Sequence, residues 1–219
     1  MQYPGKADLI QVAEQIRAFI HKTPVLTSET FNRLFEAELF FKCENFQKAG
    51  AFKSRGAVNA VLSLSGDEAE NGVATHSSGN HAQALARAAS IRGIPAYIVM
   101  PSNSSQVKID AVKQYGGIIT FCKPTLKDRE DTLQQVMART KAIEIHPYDN
   151  FDVIAGQATV AKELFEEVNG LDILLCPVGG GGLLSGTALA AAFFADATEV
   201  IACEPSGADD AMRSFRKEE

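Results

Sequence analysis

Cysteine is sparse and spread out. Cys43, Cys122, Cys176 and Cys203 share 219 residues with no CxxC pair and no histidine at metal spacing, which leaves no disulfide or zinc framework to infer. Each lies in or beside an apolar run (FFKC, IITFC, ILLC, VIAC), so buried, reduced thiols are expected. Positive charge is short as well. With 21 Lys and Arg against 27 Asp and Glu the net charge is −6. Nucleic acid, whose phosphates need clustered Lys and Arg, is therefore not an expected partner. A small anionic ligand is still allowed, because screening confines distant surface charge to about 8 Å at physiological salt and local amides and cations decide such binding. Long hydrophobic runs are missing too. The longest, around Leu183 to Ala195, is interrupted by Ser185, Gly186 and Thr187 and is too short to span a bilayer. The start, MQYPGKADLIQ, has no basic segment followed by an apolar stretch, so no signal peptide is expected. Low-complexity segments and solenoid repeats are also lacking. A cytoplasmic protein with no membrane partner is the expectation, and 46% apolar with 22% charged residues is ordinary for a globular domain.

What is present is an alternation. Candidate strands are Leu39–Cys43, Gly72–Thr75, Ala96–Met100, Ile118–Phe121, Ile143–Ile145, Ile173–Cys176 and Glu199–Cys203. Between them run helical patterns over Ala7–Phe19, Ser54–Ser63, Asn80–Arg92, Ser105–Gln114, Lys127–Thr140, Gln157–Val168 and Gly182–Phe194. Continuous apolar strands such as AYIVM and DILLCPV predict parallel strands covered on both faces. The repeated order predicts an α/β fold with an open parallel sheet, whose ligands sit beyond the carboxyl ends of strands. Residues 48–144 could form a small lobe, with 1–47 and 145–219 building a larger one.

Three clusters fall just after strands. In NFQKAGAFKSRGA, Lys53 sits at a helix start, where aligned amide dipoles disfavour an ammonium and lower its pKa; a solvated lysine in a turn is the plain alternative. In THSSGNHAQ, Ser77, Ser78, Gly79 and Asn80 offer donors to an anion, although Ser77 and Ser78 could equally be helix caps. In PVGGGGLLSGT, Gly179, Gly180, Gly181 and Gly182 are expected to bring bare amides to a phosphate, since four glycines otherwise lose backbone entropy with no packing return. Gly186 is followed by Thr187 rather than a P-loop lysine, and GxGxxG is not met. An amine, an anion cup and a hydroxyl/amide cluster together suit pyridoxal 5′-phosphate.

FKSRGA, THSSGNHAQ, HPYDNFDVIAGQ and PVGGGGLLSG, in that order, resemble the serine/threonine dehydratase and serine racemase family. These are fold-type II pyridoxal-phosphate enzymes of the tryptophan synthase β-subunit-like fold, in which the two-lobed arrangement holds the cofactor in the large lobe and substrate in the small one. The resemblance implies a cofactor attached to Lys53, which also removes the Cα proton, with Phe52 flanking the ring, Asn80 on its 3′-oxygen and Gly179 to Gly182 on the phosphate. It further implies that Ser77, Ser78 and His81 bind the substrate carboxylate with Arg129 as a clamp, and that Ser78 is a second acid/base on the opposite face. A divalent cation (Mg²⁺, Mn²⁺ or Ca²⁺) on Glu204, the Ala208 carbonyl and Asp210 is implied too. Ala158 replaces a common glycine, and Tyr148 stands where animal serine racemases have an asparagine that helps bind a nucleotide, so nucleotide regulation is not expected.

The implied activity is β-elimination of L-serine or L-threonine to a 2-oxo acid and ammonia. The alternatives are amino-acid racemisation with side elimination, and elimination from hydroxyaspartate, which needs an extra cation near the substrate side chain. The family's C-terminal third has no counterpart here. A dimer, a partner chain that completes the fold, or a non-catalytic phosphate-binding or subunit-pairing relative are therefore further expectations.

Overall fold

The computed structural model describes residues 3–217. Helix α1 (Lys6–Ile16) buries Leu9 and Ile16, two turns apart on one face. Strands β1 (Val25–Thr27) and β2 (Phe40–Lys42) then pair antiparallel across α2 (Glu29–Phe35). This pair departs from the all-parallel expectation. Strands of three residues are too short to carry a readable alternation, and only the second was anticipated.

After α3 (Lys53–Ser63) and the single turn α4 (Gly66–Ala69) comes the central layer. Strands β3 (Val73–His76), β4 (Ala96–Pro101), β5 (Ile118–Cys122) and β6 (Ile143–Glu144) form a sheet of order β5-β4-β3-β6 in which every pair is parallel. The crossovers are α5 (Asn80–Arg92), α6 (Gln106–Gln114) and α7 (Leu126–Thr140). Alternate residues feed opposite cores, as strand geometry requires. Val73, Ile98 and Met100 join Val58, Val61 and Leu85 of α3 and α5, while Ala74 and Val99 join Leu133 and Val136 of α7. Cover on both faces explains why β4 reads as an unbroken apolar run, whereas Ile118 and Phe121 of β5 and Ile173 and Leu175 near the end of the chain are exposed, against the expectation of cover on both faces.

The chain continues through α8 (Phe151–Glu167), β7 (Ile173–Pro177), α9 (Gly182–Phe194) and β8 (Glu199–Cys203), with β7 and β8 parallel. Helix α8 starts well before the expected Gln157 because the Asn150 side chain accepts from the Val153 amide at 3.0 Å and caps it. The polar segment after β8 carries a further helix, α10 (Asp210–Lys217).

Two features position the site. Helices α3 and α8 cross at glycines, where a Cβ on Gly156 would stand 2.5 Å from the Gly56 Cα. The α8–α9 core then fixes β7 beneath both, through Ala155, Ala158, Leu164, Ala190, Leu174 and Cys176. The far face of β7, carrying Ile173 and Leu175, opens on an apolar groove of about 590 Å³ that includes Phe31, Phe35 and Phe41 and reaches Phe52. The three sequence clusters do not follow strands of one sheet, as had been expected. They follow β2, β3 and β7, which belong to three separate sheets.

Candidate active site

Lys53 is the first residue of α3. Its entry is tightly built: Ala49 (φ 55°) and Gly50 (φ 67°) turn the chain through the left-handed region, and the Ser54 hydroxyl donates back to the Lys48 carbonyl. An alanine in that region costs about 1 kcal/mol, a strain held in place by the anchoring of Arg55. That residue, two positions after Lys53, is wholly buried and bonds Glu44 at 2.8 Å and Glu163 at 2.7 Å, while Lys42 reaches Glu163 at 2.9 Å. Burial would lower the Arg55 pKa, but the bonds to Glu163 and Glu44 outweigh it and raise it. Burial likewise raises the Glu163 pKa until Arg55 and Lys42 overturn it and hold it low. This four-residue charge network pins the start of α3 to β2 and α8. Nothing in the sequence flagged it, because its members lie far apart along the chain, with 108 positions between Arg55 and Glu163 and more between Lys42 and Glu163.

The Lys53 amine donates to the Pro147 carbonyl at 2.6 Å, and burial lowers its pKa from 10.5 to about 8. Loss of hydration lowers it, where the sequence reading invoked helix-dipole repulsion. The Phe52 ring lies 5.2 Å from the same amine.

Pro147 belongs to the segment 145–148, and all three clusters converge there. His81, the second residue of α5, bonds the Ile145 carbonyl through Nε2 at 3.0 Å. Tyr148 packs on the glycine turn, since a Cβ on Gly180 would meet its ring at 2.1 Å and one on Gly182 would stand 3.0 Å from its Cα. The Tyr148 ring also meets His146 edge-on at 4.5 Å, and His146 Nδ1 accepts from the Asp149 amide at 2.8 Å. One short segment therefore touches Lys53, the start of α5 and the glycine turn. The sequence reading used HPYD only as a marker of resemblance and missed this.

The glycine turn needs a correction. Gly180 and Gly182 do have a packing reason, the Tyr148 contact. Gly181 adopts φ 86°, where a side chain is strained, and only Gly179 fronts open space without that constraint. The turn leads into α9, whose start has no side-chain cap, so its first amides remain available to an anion.

At the other cluster, Ser77 accepts from the Gly79 amide at 3.3 Å, and Ser78 and Asn80 follow at the uncapped start of α5. His81 is buried, and burial drives its pKa down to about 3, so its ring is neutral. Because Nε2 donates to a carbonyl, Nδ1 is a bare acceptor, and it has no partner. The ring therefore cannot donate to a carboxylate, although the His81 amide can. Arg129, near the start of α7, has a buried Nε without a partner, and its charge reaches His76 at the end of β3 and Cys122 at the end of β5. It thus stands at the carboxyl edge of the four-stranded sheet.

The acidic turn lies beyond β8, beside the end of β7, where the Val178 amide donates to the Cys203 carbonyl at 3.0 Å. Both Glu204 oxygens accept from α10 amides, Ala211 at 3.0 Å and Met212 at 2.9 Å. Asp210 opens that helix, and Asp209 pairs with Arg213 at 3.1 Å. Among the described residues no three His, Cys, Asp or Glu side chains gather as a metal group.

Comparison with known proteins gives this geometry a family. The model of the family described as pyridoxal-phosphate dependent enzyme matches residues 16–219. The chain belongs to that family. It is 52% identical over 99% of its length to a beta-hydroxyaspartate dehydratase of Paracoccus denitrificans and 49% identical over 95% to a serine racemase of Arabidopsis thaliana. It spans 69% and 64% of those two proteins. Against the crystal structure of serine racemase from Dictyostelium discoideum it superposes with a TM-score of 0.94 at 48% identity, covering 98% of this chain and 70% of that one. The α/β architecture is thus that of the fold-type II pyridoxal-phosphate enzymes. The site suits the family's cofactor: a part-buried amine of lowered pKa, two uncapped helix starts and a glycine turn are joined by one segment. No helix among the described residues is long and apolar enough to cross a membrane.

Proposed function

We propose that this chain carries the site for β-elimination of L-serine and L-threonine to a 2-oxo acid and ammonia. The observation that carries the proposal is the convergence of Lys53, the start of α5 and the glycine turn on residues 145–148. Bound pyridoxal phosphate supplies an electron sink that acidifies the Cα–H bond of an attached amino acid. Lys53 would hold the cofactor by its aldehyde, and Gly179 to Gly182 with the first amides of α9 would hold the phosphate. Phe52 would border the ring and Asn80 would hydrogen-bond to it. Ser77, Ser78 and the first amides of α5, His81 included, would take the substrate carboxylate, with Arg129 facing it from the sheet edge. Once the substrate amine has displaced it, the freed Lys53 amine would receive the Cα proton and pass it to the departing β-hydroxyl, which leaves as water. The resulting enamine takes up one water and yields the 2-oxo acid and ammonia, so the balance closes.

Racemisation is the second reading, supported by the likeness to serine racemases and by a hydroxyl at Ser78 that could act on the opposite face. The likeness to a beta-hydroxyaspartate dehydratase supports elimination from β-hydroxy amino acids generally. Incubation of the reconstituted chain with L-serine, followed by keto-acid assay and chiral chromatography, separates the two. Excess pyruvate over D-serine supports the lyase reading, and the reverse supports the racemase. A chain that binds pyridoxal phosphate but turns over neither would be the non-catalytic relative.

A divalent cation at Glu204, the Ala208 carbonyl and Asp210 has thinner support, because the Glu204 carboxylate already caps α10. Mg²⁺, Mn²⁺ or Ca²⁺ should raise the melting temperature, and Glu204→Gln should abolish that rise, if the cation binds there. Pairing with a second copy or with another chain is supported by the exposed apolar groove beside β7. Sedimentation equilibrium tests it, and a strict monomer would reject the second copy.

A further inference from the structure

We propose that the ring of His81 is a positioning residue for Lys53: by holding the Ile145 carbonyl it sets the Pro147 carbonyl, two residues on, where the lysine amine meets it. The proposal rests on the reading of Lys53 as the amine that takes the cofactor. It gives the ring a task of its own, separate from that of the His81 backbone amide.

Strand β6 forms one edge of the four-stranded sheet, and its ladder with β3 ends at Ala74 and Glu144. Ile145 is the first residue past that end. Its amide still donates to the Ala74 carbonyl at 2.9 Å, but its carbonyl takes the His81 Nε2 proton at 3.0 Å. Ile145 is buried, and a carbonyl left unbonded in such a place is costly. The ring thus continues by side chain what the strand pairing no longer supplies.

Beyond Ile145 the chain has little freedom. Proline fixes its own φ and confines the residue before it to extended backbone, so His146 and Pro147 make a stiff link. His146 Nδ1 accepts from the Asp149 amide at 2.8 Å and closes the turn that follows. A stiff link of two residues carries the placement of the Ile145 carbonyl to the Pro147 carbonyl, which receives the Lys53 amine at 2.6 Å.

The ring has no other bond to make. It is 2% exposed, and its Nδ1 has no partner. Its one proton and its one hydrogen bond are therefore both spent on Ile145. The donor is also a neutral one. Burial first, and then the charges of Lys53, His146 and His76, oppose a second proton on the ring. A cationic donor in its place would set a fixed charge against the Lys53 amine.

The test reads the ring and the lysine separately, in the full chain before cofactor is added. In ¹⁵N NMR the His81 ring, identified by the signals that His81→Gln removes, should keep Nε2 protonated and Nδ1 bare from pH 5 to 9. A protonated Nδ1, or a ring that titrates near pH 6.5, would overturn the proposal. Trace acetylation with acetic anhydride from pH 6.5 to 10.5, followed by peptide mass mapping, gives the pH midpoint of Lys53 reactivity, about 8 in the parent. His81→Leu and His81→Asn place no donor at the Nε2 position, so the segment is released and water reaches the amine. The midpoint should then rise by about one unit or more, a loss of about ten-fold in reactivity at pH 7.5. The longer amide of His81→Gln brings an N–H close to the place of Nε2 and should hold the midpoint near that of the parent. Equal shifts in all three variants, glutamine included, would reduce His81 to packing and overturn the proposal, as would an unshifted midpoint in His81→Leu. Should His81→Leu fail to fold, the contrast between glutamine and asparagine decides the matter. None of these readouts needs cofactor. A chain that meets them and still fails to load pyridoxal phosphate would sink the proposed function and leave the role of His81 standing.

Discussion

The lowered pKa of Lys53 makes a quantitative demand on how quickly the chain takes up its cofactor. Only the neutral amine attacks an aldehyde. At pH 7.5 an amine of pKa about 8 is about one quarter neutral, whereas one left at 10.5 is neutral about once in a thousand. Attachment of pyridoxal phosphate should therefore run roughly two hundred times faster at Lys53 than at a free lysine amide at that pH, other factors being equal. The assay is stopped-flow absorbance under excess cofactor from pH 6.5 to 10, divided at each pH by the rate for an N-acetyl-lysine amide. Division removes the cofactor's own titrations. The ratio should shrink to about four at pH 10, where the free amine catches up. A ratio near one throughout, or one that does not fall with pH, would refute the burial argument. The same shift has a stability consequence. Between pH 8 and 10.5 the unfolded chain binds more protons at this site than the folded one, so cofactor-free stability should rise with pH across that window, by up to about 3 kcal/mol. Below pH 8 that gain is absent, and Lys53→Met should flatten the rise when urea midpoints are compared.

Four further outcomes rest on named contacts. Arg55→Ala leaves Glu44 and Glu163 short of their buried partner and should lower urea stability by about 3–5 kcal/mol; a loss under 1 kcal/mol would mean the network is solvated. Gly56→Ala puts a methyl 2.6 Å from the Val153 carbonyl and should cost about 1–3 kcal/mol as α3 and α8 are forced apart, with weaker cofactor uptake because Lys53 rides on α3. Gly180→Ala collides with the Tyr148 ring, so its loss of cofactor affinity should be partly recovered in a Gly180→Ala/Tyr148→Ala double variant, and strict additivity would reject the contact. Ala49→Gly, at φ 55°, should stabilise the chain by about 0.5–1 kcal/mol in thermal melts if the strain there is real.

Much of this fold is legible in the sequence because its central strands β3 and β4 are covered on both faces and its helices carry capping and glycine signals. Asn80–Arg92 and Gly182–Phe194 read from the sequence as they stand in the structure, each starting beside glycine, and Glu199–Cys203 does the same. The start of α8 was misread because periodicity points to Gln157 while the cap that decides it is Asn150. Strand β1 and α10 were missed because short elements carry too few residues for a period to register. At the site, the lysine, the serine loop and the glycine turn were each visible as local motifs. Their meeting point was not, since contacts from Lys53 to Pro147 and from His81 to Ile145 span 94 and 64 positions.

Reduction of the cofactor-loaded chain with borohydride, followed by peptide mass mapping, tests the central claim most directly. Burial against the Pro147 carbonyl should direct the phosphopyridoxyl group to Lys53 alone, with none recovered from Lys53→Ala. Label on another lysine in the parent, or no stable label in excess pyridoxal phosphate, would contradict it.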